Sequence, residues 1–543
     1  MTSSSSSWPA TFAEAVHGVL LRRLPPDRGG PELEQLSRDL VAALEQGELD
    51  LPLTPERRAA ARASGWLVGP VSPLLCRGDR IGWRRWLEAM DAVVEQLLDR
   101  HPPECPPAQP CPQPSANLNA EQRAAVLALD QVAVVLLSGG PGTGKTSTVV
   151  DLLQRARARH PGQRIGLAAP TGKAARRLGD AVRRTADHKT ADHKTAGHKT
   201  AGHKTAGQNT LEDLPCFTLH RWLEAAGDGF RRDRQRPIEL DLLVIDEMSM
   251  VDLNLMQALL EALPSTCRLV LVGDPAQLPP VGSGAVWQRL QESSSRDRFG
   301  VGAVHLRRTY RNRGALAALA TTLREGGMAE FRQHLEGLPA SANVEHVSAG
   351  VQRLPAQVRD RWRERHQRLV SLAVGLLSCA EEDLERAAAP LMAMLDQELL
   401  LCPRRRGPWS LEDVHRTLLG SSSWRDPARW PEGVPVICGG NQPELGLSNG
   451  DLGVKLGSGD AGRLLFRVID RQGHARMHRL HPARLSALEP ALALTIHRAQ
   501  GSEADHVSVL WPLQEGSDYD SCLLYTAITR ARGSLTLITS EPA

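Results

Sequence analysis

The chain has 543 residues, 41% of them hydrophobic and 23% charged, a balance that excludes wholesale disorder, a collagen-like fibre and a disulfide-rich miniature. At about 150 residues per domain this length predicts three to four domains. Its 65 basic and 62 acidic side chains leave a net charge of +3, too little to mark a nucleic-acid binder alone, although several domains can hide a basic channel within a near-neutral total.

Residues 1–100 carry apolar positions every three or four residues, as at 12–24, 32–44 and 86–98, and predict a helical N-terminal domain. Residues 101–115, HPPECPPAQPCPQPS, hold seven prolines. Proline sustains neither a helix nor a central strand, so an extended linker and a domain boundary are predicted here. Beyond it, short apolar runs at 132–137, 165–168, 242–245 and 269–272 alternate with amphipathic stretches. They read as buried parallel strands of an α/β domain, placed at 116–340, with helices on both sheet faces. A second unit, 341–543, opens on a helix-rich stretch at 355–400. Inside it, Gly-punctuated alternation from about 434 to 485 predicts a small antiparallel β module, and strand-like runs return at 492–496, 507–510 and 535–538.

Residues 185–209 form five pentads, TADHK, TADHK, TAGHK, TAGHK and TAGQN. With almost nothing larger than Ala to bury, they cannot offset their ordering entropy and predict a disordered surface loop. Histidines five residues apart turn by about 140° per repeat on a helix and share no face, so metal binding is the weaker reading. Only seven of the 65 basic residues are Lys, and four of those seven lie in the pentads. The nine cysteines form no CxxC pair and read as reduced thiols. No apolar run reaches the ~20 residues of a membrane helix, and the N-terminus lacks a basic and apolar leader, so a cytoplasmic protein with no membrane association is expected.

Gly139-Gly140-Pro141-Gly142-Thr143-Gly144-Lys145-Thr146 fits G-x-x-x-x-G-K-[ST] and directly follows the apolar run 132–137. The glycines let the backbone curl so that its N–H groups face phosphate oxygens at a helix N-terminus. With Ser147, these residues form the predicted nucleotide-binding set. Lys145 supplies a positive charge at the β- and γ-phosphates, and the Thr146 hydroxyl can ligate Mg²⁺. The second half of such a site is a buried strand ending in acids, Leu242-Leu-Val-Ile-Asp246-Glu247. Asp246 is expected to hold Mg²⁺ and Glu247 to orient or deprotonate the attacking water. Together these signals predict a Mg²⁺-dependent NTPase and leave open what it moves.

Further elements follow in a set order: Leu118-Asn-Ala-Glu-Gln122, Ala169-Pro-Thr-Gly-Lys-Ala-Ala175, Thr218-Leu-His-Arg-Trp222, Val272-Gly-Asp-Pro-Ala-Gln-Leu-Pro-Pro-Val-Gly282, Arg307-Arg-Thr-Tyr-Arg311, Thr495-Ile-His-Arg-Ala-Gln-Gly-Ser-Glu503 and Tyr525-Thr-Ala-Ile-Thr-Arg530. This set resembles the motifs of superfamily 1 DNA helicases, most closely the RecD family. The resemblance implies that Gln122 contacts adenine, that Gln277 senses the γ-phosphate, and that Arg311 and Arg530 are arginine fingers. It implies DNA contacts at Thr171, Thr218, His220, Thr495, His497, Gln500 and Gly501. His220 also has a reading as a satisfied core histidine. Trp222 reads better as packing, Tyr310 and Tyr525 as braces for their neighbouring arginines, and Arg404–Arg406 as a solvated turn.

The implied fold is α/β, with two RecA-like P-loop NTPase lobes and a helical N-terminal domain. Asn449-Gly-Asp-Leu-Gly453 resembles part of the small SH3-like β insertion of RecD-type second lobes. The implied activity is 5′→3′ translocation and duplex unwinding driven by ATP, with single- and double-stranded DNA and the cofactors ATP and Mg²⁺ as partners. RecD-type chains work in a heterotrimer with RecB- and RecC-like subunits that processes double-strand breaks; nuclease activity is then expected in a partner and docking in residues 1–100. A solitary repair helicase and a regulatory ATPase subunit remain as alternatives. One departure stands out: where the family often has Lys-Ser, this chain has Arg498-Ala499, losing a hydroxyl that could touch phosphate.

Overall fold

A computed structural model describes residues 8–22, 30–45, 47–69, 72–101, 113–194, 211, 214–227, 229–310, 314–339, 343–469, 475–512 and 518–540. The N-terminal region folds as α1 (Trp8–Leu21), α2 (Pro31–Glu45), β1 (Asp50–Pro52), α3 (Pro55–Ala63), β2 (Leu74–Arg77), β3 (Arg80–Trp83) and α4 (Arg84–Leu98). The expected helices are present, together with an unexpected antiparallel sheet of order β1-β3-β2. Its hairpin turns on Gly78-Asp79, with Gly78 at φ 59° as a tight two-residue turn requires. Leu36, Leu40, Trp66, Ile81 and Trp83 form a local core, while Met90, Val93 and Leu97 of α4 join the core of the next unit. Arg100 fastens that junction, donating to the carbonyls of Pro264 (2.9 Å) and Cys267 (2.7 Å). Most of the expected proline linker, residues 102–112, lies outside the described residues.

The first α/β unit comprises α5 (Ala120–Ala128), β4 (Val134–Gly139), α6 (Lys145–Arg159), β5 (Ile165–Ala169), α7 (Gly172–Lys194), β6 (Cys216–Thr218), α8 (Leu219–Trp222), the hairpin β7 (Ala225–Ala226) and β8 (Gly229–Phe230), β9 (Leu242–Ile245), α9 (Leu253–Ala262), β10 (Arg268–Gly273), α10 (Val286–Gln291), α11 (Ser293–Arg296) and β11 (Ala303–Leu306). Six of these strands pair in parallel in the order β11-β4-β10-β9-β5-β6. Every residue of β4, β5, β9 and β10 is buried, because helices cover both faces; that is why they read as unbroken apolar runs. In register, Ser138 lies beside Gly273 and Leu271 beside Ile245, so the segments after β4, β9 and β10 emerge together at one sheet edge. Residues 185–194, predicted to begin the disordered loop, instead extend α7. The first two pentads contain no glycine, which would cost a helix about 1 kcal/mol relative to Ala at each position. Residues 195–210 lie outside the described residues.

The second unit contains α12 (Ala315–Glu336), β12 (Val344–Ala349), α13 (Ala356–Ala373), α14 (Glu381–Leu395), β13 (Glu398–Cys402), α15 (Leu411–Leu419), β14 (Pro435–Cys438), β15 (Leu452–Leu456), β16 (Arg463–Ile469), β17 (Ala475–Leu480), β18 (Leu488–Pro490), β19 (Leu494–Thr495), β20 (Ala504–Trp511), α16 (Asp518–Ile528) and β21 (Ala531–Ser540). A parallel sheet has the order β12-β21-β20-β13-β19. Between β13 and β19 the chain inserts an antiparallel sheet, β17-β16-β15-β14-β18. Although α12 precedes residue 340, its Leu316, Leu319, Leu323, Phe331 and Leu335 pack with Leu401, Val509 and Leu537 of the second sheet. The architecture is thus α/β, with two parallel lobes, an antiparallel insertion in the second and a helix-rich N-terminal region. Among the described residues, no helix is long and apolar enough to cross a membrane.

Candidate nucleotide site and interlobe cleft

The loop between β4 and α6 has the shape its glycines predict. Gly142 and Gly144 adopt φ 72° and 85°, where a side chain is strained. At Gly139 a Cβ would lie 2.8 Å from Thr143 Oγ1 and 2.9 Å from the Leu306 carbonyl, so close packing also demands glycine there. Lys145 Nζ donates to the carbonyls of Gly139 (2.7 Å) and Gly140 (2.9 Å), folding its charge over the loop mouth. Pro141 and Thr146 are half-buried and Ser147 exposed around this mouth. Gln122 is tied in from upstream. Its Oε1 accepts from Asn119 N in a capping box on α5, and its Nε2 donates to the Thr143 carbonyl (3.3 Å).

At the end of β9, Asp246 Oδ1 accepts from Glu247 N (2.9 Å). Glu247 sits at φ 56°, a left-handed conformation costing a non-glycine residue about 1 kcal/mol or more. Burial, and next the adjacent Glu247 charge, push the Asp246 carboxyl up to about 6, against the pull of Lys145 and Arg177. A carboxylate withheld from water beside a second one, with the Thr146 hydroxyl on the facing helix, is a hard-oxygen donor set that fits Mg²⁺. After β10, Gln277 is buried, and its Oε1 has no protein partner among the described residues.

The second lobe closes over this edge. Tyr525 Oη donates to Asp274 Oδ2 at 2.9 Å, so Tyr525 braces the first lobe, not Arg530. Leu278 N donates to Thr526 Oγ1 (3.0 Å), and Gln500 Nε2 donates to the Leu278 carbonyl (3.3 Å). Tyr310 N donates to the Gly142 carbonyl (2.8 Å), placing that segment against the loop, while Arg311 lies outside the described residues. Arg530 is 2% exposed and spends its guanidinium within its own lobe, on Thr526 O, Ser502 O and Thr529 Oγ1.

The expected strand contacts divide. Thr171 and Thr218 cap α7 and α8 at the C-terminal ends of neighbouring strands β5 and β6. Gly501, at φ 71°, comes so close that a Cβ would lie 3.1 Å from Thr171 Oγ1, so these two expected sites meet across the lobes. Gln500 instead turns inward to Leu278. Thr495 Oγ1 accepts from Arg498 N (3.4 Å), and His497 lines a cavity of about 340 Å³ with Arg404, Trp511 and Asp520. His220 packs on Phe230 with ring centres 6.0 Å apart, its pKa lowered by burial. Trp222 donates Nε1–H to the Leu167 carbonyl (2.9 Å) beneath Gly166, a packing role.

Sequence reasoning missed a row of interlobe ion pairs from the start of α7. Lys173 meets Asp396 (2.9 Å), Arg176 meets Asp451 (2.8 Å), and Arg177 meets Glu503 (2.8 Å) while its charge also faces Glu247 and Asp246. A basic cluster following the Thr171-Gly-Lys motif was the available signal. The departure at Arg498 also has a structural use: its guanidinium forms two bonds to Glu489 of β18 (2.8 and 3.1 Å), a carboxylate shared with Arg405.

Fold and site together define a two-lobed P-loop NTPase whose hydrolytic edge is contacted from the second lobe. The AAA domain family matches residues 122–283, and the UvrD-like helicase C-terminal domain matches residues 490–538. The RecBCD enzyme subunit RecD of Mycolicibacterium smegmatis is 33% identical over 98% of this chain and 90% of its own length. The RecBCD enzyme subunit RecD of Mycobacterium tuberculosis strain H37Rv is 35% identical over 91% of this chain and 82% of its own. The ATP-dependent RecD2 DNA helicase of Deinococcus radiodurans is 31% identical over 76% of this chain and 48% of its own. The chain belongs to the RecD family of ATP-dependent DNA helicases.

Proposed function

We propose that the chain is the 5′→3′ DNA motor of a RecBCD-type complex, hydrolysing ATP between its lobes and acting with RecB- and RecC-like subunits on broken duplex ends. The observation that carries this reading is the double hold on Leu278: the residue after Gln277 is bonded from the second lobe through Thr526 and Gln500. A change of phosphate state at Gln277 is thereby passed directly to the lobe that shares the Thr171–Gly501 contact. In this reading, Glu247 takes a proton from the attacking water, and Lys145 leaves its carbonyl partners to meet the phosphates. Thr146 and Asp246 would hold Mg²⁺, which would supply neutralisation of the phosphate charge. Gln122 reads adenine, Arg311 acts as a finger, Arg530 joins it by leaving its partners within the second lobe, and Thr171, Thr218, His220, Thr495, His497 and Gly501 follow the single strand.

The RecBCD relative from M. smegmatis aligns with 98% of this chain and the RecD2 helicase with 76%, which supports the subunit reading over a solitary helicase. Residues 1–100 would then carry partner docking. The test is unwinding of 5′-tailed and 3′-tailed duplexes with ATP and Mg²⁺. Opening of the 5′-tailed substrate alone is expected; opening of the 3′-tailed substrate alone overturns the polarity. DNA-stimulated hydrolysis without unwinding of either duplex favours the regulatory subunit. Co-purification with RecB- and RecC-like chains tests the assembly.

A further inference from the structure

We propose that Arg324 is a further phosphate-binding residue of this site, a guanidinium from the second lobe that touches the terminal phosphate of the nucleotide. The inference rests on the nucleotide reading above and adds a residue that none of the sequence motifs contains. Arg324 lies on α12, three residues before the helix breaks at Gly327 (φ 72°). Leu316, Leu319 and Leu323 of the same helix are buried in the second lobe's core, so Arg324 is carried by that lobe. Its side chain nevertheless overhangs the first lobe's loop. A Cβ built on Gly140 would lie 3.5 Å from Arg324 Nη1 and 3.4 Å from Tyr525 Oη.

Lys145 Nζ approaches the same residue, 2.9 Å from the Gly140 carbonyl. Two cations from opposite lobes therefore converge on one stretch of bare backbone, an arrangement that an arriving anion stabilises. The acid bonded to Arg324 is its chain neighbour Glu325 (2.6 Å), whose side chain is 64% exposed. An ion pair that wet is weakly held, so a phosphate can replace it at little cost. The Arg324 charge also faces Tyr525 and Asp274, whose buried hydrogen bond crosses the cleft beside it. Arg530, in contrast, has its guanidinium bonded within its own lobe.

The experiment compares the full chain with Arg324→Gln, Arg324→Lys, Glu325→Gln and Lys145→Ala. It measures DNA-stimulated ATP hydrolysis and the affinity for ADP with and without aluminium fluoride, which occupies the terminal-phosphate position. Arg324→Gln is expected to lower kcat/KM about 100-fold and to abolish the tightening by aluminium fluoride, with ADP affinity kept within about twofold. Arg324→Lys recovers part of the loss, and Glu325→Gln stays within about twofold of wild type. The proposal is overturned if Arg324→Gln hydrolyses ATP like wild type, if it weakens ADP as much as the fluoride complex, or if Glu325→Gln reproduces its loss. Equal hydrolysis by wild type and Lys145→Ala would bring down the nucleotide reading itself, and this proposal with it. An inactive Lys145→Ala beside a fully active Arg324→Gln removes Arg324 alone.

Discussion

Tyr525 and Asp274 stand 251 positions apart in the chain and share a buried 2.9 Å hydrogen bond that crosses from one lobe to the other. Burial, and then the Asp274 charge, raise the Tyr525 pKa well above its ordinary value, so the hydroxyl keeps its hydrogen and donates throughout the working pH range. Tyr525→Phe leaves a buried carboxylate oxygen unpaired, at a cost of about 1–3 kcal/mol. Since the bond joins the lobes, DNA-stimulated kcat should fall about tenfold while ADP affinity is unchanged. Thermal unfolding and steady-state hydrolysis check both; an unchanged kcat would confine the bond to a structural role.

Gly501→Ala should reveal how tightly the lobes meet. The new methyl combines a strained φ of 71° with a 3.1 Å approach to Thr171 Oγ1, and a loss of about 2 kcal/mol of stability is expected. Gly459→Ala is the comparison. Its φ of 62° is equally unfavourable, yet its Cβ meets nothing within 4 Å. Both variants should lose stability, but only Gly501→Ala should also weaken single-strand binding in a fluorescence titration.

Lys173 and Asp396 make an asymmetric pair. The ammonium is out of water, while the carboxylate side chain is 45% exposed. Removing the acid strands a buried charge, so Asp396→Ala should cost about 2 kcal/mol. Lys173→Met removes that charge, and the remaining Asp396 is solvated, so its cost should be under about 1 kcal/mol. The double variant should resemble Lys173→Met in denaturant midpoint; additive losses would contradict this account.

His415 sets an acid limit on stability. Burial lowers its pKa from 6.5 to about 4, opposed by a hydrogen bond involving Ala493 and the charge of Glu489 and aided by Arg405 and Arg498. The unfolded chain then takes up the proton first. Stability from this group is complete above about pH 6.5 and is lost as pH falls toward 4, about 2 kcal/mol of it by pH 5. His415→Gln should flatten that part of the pH–stability curve. An unaltered slope would mean that the proton is taken up elsewhere.

Much of the candidate nucleotide site was legible because each of its parts is a short run of sequence. The run 242–245 forms β9 over those residues, and Asp246 follows it, since a strand buried on both faces leaves no polar position until it ends. The N-terminal sheet was missed although Gly78-Asp79, between two short apolar runs, is a two-residue turn signal. The cross-lobe contacts of Tyr525, Arg324 and the α7 cations lay beyond reach for a different reason. Their partners depend on how two sheets face each other, and no periodicity within either segment encodes that angle. Arg324 belongs to an ordinary amphipathic helix and carries no local mark at all.

Leu278 follows Gln277 directly in the first lobe's chain, yet its side chain lies fully buried in the second lobe's core. In mechanical terms the five residues from Asp274 to Leu278 are a tendon: one end is rooted in β10, the other is fixed by Thr526, Gln500 and apolar packing. A load that pries the lobes apart cannot slip along a surface here; it stretches peptide. Gln277 stands one residue from the far anchor, so tension in this stretch arrives at the residue proposed to sense the terminal phosphate.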